Sequence, residues 1–430
     1  MKAKKGKLFR RGIHIADKKQ YSKMSYIQDA PVPEILSISL AQHIGKPADP
    51  IVAVGDLVKQ GQLIGQASGF VSANVYSSVS GKVIAIEKRP NPRGQVSDYV
   101  VIQNDFEYDA LSLEPLADRE PQTIIDRIKE AGIVGMGGAG FPTFIKLSPQ
   151  TPVDTLIING AECEPYLTCD YRLMIEHTDQ VVQGIRLLAK ALSVSNIVIG
   201  IEANKPDCIE LFEQFDDIQV AVLKKAYPMG SEKHLIYCCT GREVPVGKLP
   251  ADAGCVVQNI ATAFAVYEAV EKNKPLYERV LTVSGKCIGN PSNLRVKFGT
   301  SFEFLFDHCK LDTTDLTMLI SGGPMMGSTL LSSDYYTRKT DSGLLALDST
   351  EVDFKDPSPC IGCGRCASVC PMKLLPMAID FYTQAGDYEG AQKYGGVLNC
   401  IECGSCAYVC PARRSLVQSI GLAKSQLRKK

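Results

Sequence analysis

Eight of the sixteen cysteines fall into two runs of identical spacing. Cys360, Cys363, Cys366 and Cys370 are followed by Pro371, and Cys400, Cys403, Cys406 and Cys410 by Pro411, so each run reads C-x2-C-x2-C-x3-C-P. Three thiolates on one tight loop can hold three iron corners of a cubane, and the small residues between them let backbone N–H groups approach the sulfurs. The fourth cysteine, expected to open a helix that points away, ligates the other cluster in this spacing. The expected ligand sets are Cys360, Cys363 and Cys366 with Cys410, and Cys400, Cys403 and Cys406 with Cys370. They describe two neighbouring [4Fe–4S] clusters within electron-tunnelling reach of each other. Structural zinc sites use two C-x2-C pairs and leave the third step and both Cys-Pro endings unexplained. The other cysteines (Cys163, Cys169, Cys208, Cys238, Cys239, Cys255, Cys287 and Cys309) lack such spacing and read as core packing.

A second segment with chemical potential is Gly135-Met136-Gly137-Gly138-Ala139-Gly140-Phe141-Pro142-Thr143. Successive glycines let backbone N–H groups close on a phosphate or a flat ring, and a helix start adds a favourable dipole. A plain tight turn explains the same residues. The run does not fit G-x-G-x-x-G, because Pro142 stands where a dinucleotide-fold helix would continue, and no Gly-Lys-Ser/Thr follows to make a Walker A loop.

The elements that position these segments follow from patterning. Residues 29–110 look all-β, with short apolar runs at 51–54, 63–64 and 83–86 broken by Gly55-Asp56, Gly61-Gln62 and Gly81-Lys82. From 111 to 272 the texture is α/β: 121–131 and 179–192 have helical periodicity, and the β-branched runs 155–158 and 196–201 suit buried parallel strands. Residues 273–350 are β-rich again, at 279–284, 294–296 and 318–321, with turns at Gly285, Gly289-Asn290-Pro291 and Gly322-Gly323-Pro324. Residues 351–430 carry the cysteine runs among short helices, and residues 1–28 form a leading segment.

Composition bounds the rest. The chain has 430 residues, room for several domains, and 47 basic residues balance 47 acidic ones, so net charge gives no argument for nucleic acid. The basic residues Lys2, Lys4, Lys5, Lys7, Arg10 and Arg11 crowd one end, and Arg413, Arg414, Lys424, Arg428, Lys429 and Lys430 the other. Two solvated tails explain them, as does attraction to an anionic membrane or an acidic partner. No apolar h-region follows the basic start, and no run of ~18 apolar residues exists to span a membrane. Cysteines in metal-ligand spacing without an export signal point to a reduced, cytoplasmic setting. Leu416, Ile420, Ala423 and Leu427 make one helical stripe, available for docking or for packing against the chain's own core.

With these residues in view, a family resemblance becomes specific. The phrase Val54-Gly55-Asp56-Leu57-Val58-Lys59-Gln60-Gly61-Gln62 resembles the biotinyl/lipoyl-like barrel-sandwich hybrid, but no lysine lies between Gln60 and Gly81 to carry a prosthetic group. The run from Gly135 to Lys146 resembles the GRGGAGFPTGLKW flavin loop of the NADH-oxidising subunit of respiratory complex I. Asn159-Gly160-Ala161-Glu162-Cys163-Glu164-Pro165 resembles NADESEP. Tyr227-Pro228-Met229-Gly230-Ser231-Glu232 resembles Y-x-C-G-E-E, and Val256-Val257-Gln258-Asn259-Ile260-Ala261-Thr262 resembles VVNNVET. The order of modules resembles the C-subunit family of the Rnf ion-translocating electron-transport complexes: barrel-sandwich hybrid, α/β flavin/NADH domain, SLBB-like β-grasp domain, helical two-cluster ferredoxin domain.

That resemblance implies an FMN site at Gly135, Gly137, Gly138, Ala139, Gly140 and Lys146, completed by Asn159, Glu162, Asn259 and Thr262, with Tyr227 in the same pocket. It implies that Phe141 stacks on NADH and that Glu164 and Glu232 accept from its hydroxyls. Met136, Leu147, Ala161, Ser231 and Ala261 depart from the complex I pattern and match the Rnf type better. The implied protein is a peripheral NADH-linked oxidoreductase subunit on the cytoplasmic face of the bacterial plasma membrane. Its partners are a ferredoxin-like subunit and membrane subunits. Flavin belongs between hydride and single-electron carriers; hydride transfer is a matter of orientation, so no catalytic side chain is assigned. Two rival readings share the motifs: a soluble flavin reductase of a small cofactor, like the cobalamin reductase, in which the barrel-sandwich hybrid follows the clusters instead of leading, and an electron-wire scaffold with a vestigial flavin loop.

Overall fold

The computed structural model describes residues 4–353 and 355–429. Lys2 and Lys430 of the basic ends lie outside them. Four sheets and a helical C-terminal unit make up the described chain.

The first module pairs strands Ile35–Ser39, Val96–Asn104, Gly81–Pro90 and Leu57–Val58 in one sheet and Asp49–Pro50, Leu63–Gln66 and Val75–Tyr76 in another. Leu36, Ile38, Ile64, Val75, Val83, Val100 and Ile102 fill the space between them. Each such side chain contributes roughly 1.5–3 kcal/mol on burial. The strand expected at 51–54 is instead an irregular run. Asp56 turns it back by accepting from the Ala53 N–H at 2.8 Å, and the strand ahead of it stops at Pro50.

The central sheet is wholly parallel, in the order Lys4–Lys5, Gln219–Leu223, Asn196–Glu202, Thr155–Gly160, Cys255–Asn259. Alternation sends Leu156, Ile158, Ile199 and Val220 to one face, under helices Pro121–Glu130, Cys169–Glu176, Thr178–Leu192 and Ile260–Glu271. It sends Ile157, Val198, Ala221 and Val257 to the other face, under helix Glu232–Thr240. Covered on both sides, these strands have the continuous apolar character that patterning predicts. The edge strand Lys4–Lys5 comes from the basic leading segment, whose described residues are therefore not a free tail.

The third sheet is mixed: Ser328–Thr329, Leu316–Ser321, Gly343–Asp348, Glu278–Ser284, Ser292–Lys297 and Ile27–Asp29. Helix Phe302–His308 covers it through Phe302, Leu305 and Phe306. That helix is capped by Ser301, whose Oγ accepts from the Phe304 N–H at 3.2 Å. Ile27–Asp29 joins this sheet rather than the first module.

In the C-terminal unit each cysteine run contains a short helix, Arg365–Val369 or Ser405–Tyr408, followed by a longer one, Pro376–Gln384 or Leu416–Leu427. The stripe Leu416, Ile420 and Ala423 is buried against Ile379, Ala391 and Val397, so it packs the unit's own core and is not a docking face. Arg413, Arg414 and Lys424 are likewise engaged within the chain, by Asp353, Asp380 and Glu402.

Candidate functional site

The cysteines gather into two cages in the crossed arrangement that the spacing predicts. Cys360, Cys363, Cys366 and Cys410 line one cavity with Ile361, Met377 and Leu416. Cys400, Cys403, Cys406 and Cys370 line the other with Ile401, Val417 and Ile420. Gly364 and Gly404, at φ 71° and 78°, precede the two short helices in the left-handed region, where a side chain is strained. The fourth cysteine of each run does not open a helix as expected. Cys370 and Cys410 are followed by turns, with Lys373 and Arg413 at positive φ, and the longer helices begin only at Pro376 and Leu416.

Each cage suits an iron–sulfur cubane by its donor set: four cysteine thiols and no imidazole among the lining residues. Burial pushes the Cys400 thiol up to about 11 and the Cys406 thiol up to about 12, so thiolates gather there only beside a cation. Backbone N–H groups reach the sulfurs, Glu402 to Cys400 at 3.3 Å and Leu374 to Cys370 at 3.4 Å. Lys424 donates to the Cys400 carbonyl at 2.5 Å and to Glu402 at 2.6 Å, pinning the second loop to the last helix. The cages differ in setting. Cys360 and Cys363 are exposed, whereas Cys370, Cys403 and Cys406 are buried.

The glycine segment is anchored at its base and bare at its crest. Gly135 N–H donates to the Phe141 carbonyl at 2.9 Å, and Met136 N–H to Thr262 Oγ1 at 3.0 Å. Arg279 donates to the Met136 carbonyl at 3.2 Å. Gly137 presses on Asn259 so closely that a Cβ there would lie 2.7 Å from its amide, while a Cβ on Gly138 would meet nothing within 4 Å. Gly137, Gly138 and Ala139 are exposed, and Gly140 (φ 74°) is buried beneath Thr340 and the first module's Gln42 and His43. Exposed backbone on a fixed loop is the cradle a flat ring and a phosphate require.

Around it stand the carboxyl ends of two adjacent strands, the usual place for a ligand in a parallel sheet. Asn159 is the last residue but one of one strand: its Oδ1 accepts from Ala161 N–H at 3.2 Å and its Nδ2 donates to the Gly230 carbonyl at 2.9 Å. Asn259 ends the other: it caps helix Ile260–Glu271 through Ala261 N–H at 2.8 Å and donates to Asp170 at 2.7 Å. Lys146 donates to Glu232 at 2.7 Å and to the Val257 carbonyl at 3.2 Å. Phe141 is half-buried.

Two carboxylates differ from expectation. Glu162 accepts from the Asp170 N–H at 2.7 Å and from Lys19 at 3.3 Å, so it caps a helix and holds the leading segment. Glu164 does not stand free for a dinucleotide hydroxyl. The Met325 N–H donates to it at 3.1 Å, the Tyr227 hydroxyl lies 3.2 Å away, and burial pushes its carboxyl up to about 7 against those contacts. Lys19, Asp170 and Arg279 carry no local signal in the sequence, and Lys424 is legible there only as part of a basic end. The loop 322–327 was legible only as a turn, from its glycines. The eight remaining cysteines are buried or half-buried free thiols, as expected.

Known proteins share these features. Residues 7–107 match the family model described as the RnfC barrel sandwich hybrid domain, 128–268 the Nuo51 FMN-binding domain, and 353–411 a 4Fe-4S dicluster domain. The chain is 45% identical to the C subunit of the proton-translocating ferredoxin:NAD(+) oxidoreductase complex of Clostridium ljungdahlii, over 98% of this chain and 94% of that protein. It is 43% identical to the C subunit of the Na(+)-translocating ferredoxin:NAD(+) oxidoreductase complex of Acetobacterium woodii, over 97% of each. Identity to the C subunit of the ion-translocating oxidoreductase complex of Rhodobacter capsulatus is 44%, over 97% of this chain and 83% of that protein. Among solved structures, an NAD+-reducing [NiFe]-hydrogenase in the H2-reduced state superposes with a TM-score of 0.50 and 18% identity, over 72% of this chain and 61% of that one, a likeness of fold alone.

Proposed function

This chain belongs to the C-subunit family of ion-translocating ferredoxin:NAD+ oxidoreductase complexes, and from that membership we infer that it is the peripheral NADH-, FMN- and iron–sulfur-bearing subunit of such a complex. It exchanges hydride with NAD(H) and relays single electrons through two [4Fe–4S] clusters to or from other subunits. FMN, when bound, supplies the conversion between two-electron and one-electron chemistry. The single observation that carries the reading is the presence, in one chain, of a bare glycine crest at the sheet's carboxyl edge and two four-cysteine cages.

The chain's own residues do the rest. The backbone of Gly135, Gly137, Gly138, Ala139 and Gly140 receives the flavin, with Lys146, Asn159, Asn259 and Thr262 fixing the floor beneath it. Phe141 and Glu232 border the side on which nicotinamide would lie, where orientation is the contribution to rate. Cys360, Cys363, Cys366 and Cys410 hold one cluster, and Cys400, Cys403, Cys406 and Cys370 the other. We read the mixed sheet of 273–350 as an SLBB-like β-grasp module, the helical unit from 351 as the ferredoxin-type domain, and residues 29–110 as a non-carrier barrel. No described helix is long and apolar enough to cross a membrane, so other subunits would hold the protein at the membrane, on its cytoplasmic face. The full-length match, with the barrel-sandwich module leading, leaves the small-cofactor reductase without support.

The test is anaerobic titration of reconstituted protein with NADH, followed optically and by EPR. Flavin bleaching is expected, accompanied by uptake of about one electron by each of two cubanes that together hold about eight iron atoms per chain. Cluster absorbance with no NADH-bleachable flavin would leave only the electron wire.

A further inference from the structure

The buried cage is where several distant parts of the chain meet. The Tyr227 hydroxyl lies 2.7 Å from the Cys403 carbonyl and 3.2 Å from Glu164 Oε1. The loop 322–327 of the third sheet closes over the same carboxylate, its Met325 N–H donating to Glu164 Oε2 at 3.1 Å. Two glycines permit that approach: a Cβ on Gly323 would lie 2.1 Å from Glu164 Oε2, and one on Gly404 2.7 Å from the Met325 carbonyl. Ile13, Ile401, Val369, Val409 and Met325 wrap Tyr227 and Cys403 in apolar surface. His234 adds a contact to the Pro371 carbonyl at 3.3 Å, next to Cys370 of the same cage. None of these contacts reaches the exposed cage of Cys360 and Cys363.

Glu164 presents its carboxylate to a tyrosine, a backbone amide and a glycine Cα. We propose that Tyr227 and Glu164 are positioning residues for the cluster of Cys370, Cys400, Cys403 and Cys406, fixing the Cys403 loop against the flavin module. This rests on the iron–sulfur reading above. The Tyr227 hydrogen bond withdraws charge from a ligand's own peptide and so favours the reduced cluster; hydrogen bonds and burial are what tune such centres. The carboxylate in turn holds the tyrosine and ties in loop 322–327, so three modules are locked at one point.

The experiment uses full-length protein reconstituted with iron, sulfide and FMN, in a C363S background in which only the buried cage keeps four cysteines. Y227F is expected to lower the midpoint potential of the remaining cluster in an EPR-monitored redox titration. In the same background, E164A, which frees Tyr227 and the Met325 amide, is expected to shift that potential as well. Should Y227F fail to accumulate, G323A, which pushes loop 322–327 off Glu164, is expected to shift the same cluster. An unaltered potential in Y227F, E164A or G323A overturns the proposal. Failure of the underlying reading looks different, since the C363S protein would then show no cubane signal at all.

Discussion

Lys146 Nζ stands 2.7 Å from Glu232 Oε1 and 3.2 Å from the Val257 carbonyl, so one ammonium group links the turn after the glycine loop to helix Glu232–Thr240 and to a central strand. Both side chains are about a third exposed, and the pair itself is worth at most about 1 kcal/mol. Its value lies in holding a cation beside the glycine crest. K146M is therefore expected to lose little thermal stability but to weaken FMN binding by roughly tenfold to a hundredfold, the worth of a charge-assisted hydrogen bond. Flavin fluorescence quenching on apoprotein measures it; an unchanged Kd removes Lys146 from the site.

Gly137 and Gly138 should separate folding from binding. A methyl group on Gly137 meets the Asn259 amide and should cost about 1–3 kcal/mol by overpacking, lowering the melting temperature of the apoprotein. A methyl group on Gly138 points into open space and should leave the apoprotein melt unchanged while reducing the bound flavin. Equal melts for the two variants would contradict this.

The crossed cages make a pairing prediction. C370S and C403S should leave the same residual cluster, with about four iron atoms per chain and identical EPR spectra, and C410S and C363S should leave the other. If C370S instead matched C363S, each run would hold its own cluster.

Lys339 gives a pH dependence. Its Nζ is buried and donates to the carbonyls of Asn74 at 2.6 Å and Gly132 at 2.7 Å, and burial pushes the ammonium from 10.5 down to about 7. Between those values the unfolded chain carries a proton that the folded protein lacks. The unfolded state therefore binds more protons, and the stability present above pH 10.5 is lost as pH falls towards 7. K339M should abolish that slope. It should be less stable than the parent at pH 10.5, where two hydrogen bonds are gone, and should recover relative to it towards neutrality. Urea unfolding across this range checks it, and parallel curves would refute it.

Much of the site was readable because spacing acts locally. The crossing of Cys370 and Cys410 follows from one run of residues, and the parallel strands follow from β-branched stretches buried on both faces. What was not readable depends on encounters across the chain. Glu164 has the composition of a ligand residue, and only the arrival of Gly323 and Met325 from a different sheet encloses it. Glu162 looks equally free until Lys19 meets it. The stripe of Leu416, Ile420 and Ala423 has no signature that distinguishes an outer partner from the neighbouring helix it covers. Cys370 was expected to open a helix; Lys373 in the left-handed region delays that helix to Pro376, a local feature that the cysteine spacing does not encode.

The leading segment has a consequence for biosynthesis. Lys4 pairs with Ala221, Gly12 N–H donates to the Val369 carbonyl, and Arg11 donates to the Ala367 carbonyl, 356 positions further on. At ribosomal speeds the arm waits roughly 20–70 s for these two carbonyls to be synthesised. The residues of this arm are thus among the last to settle, and any tag or chaperone that detains them also detains the closing of the C-terminal unit.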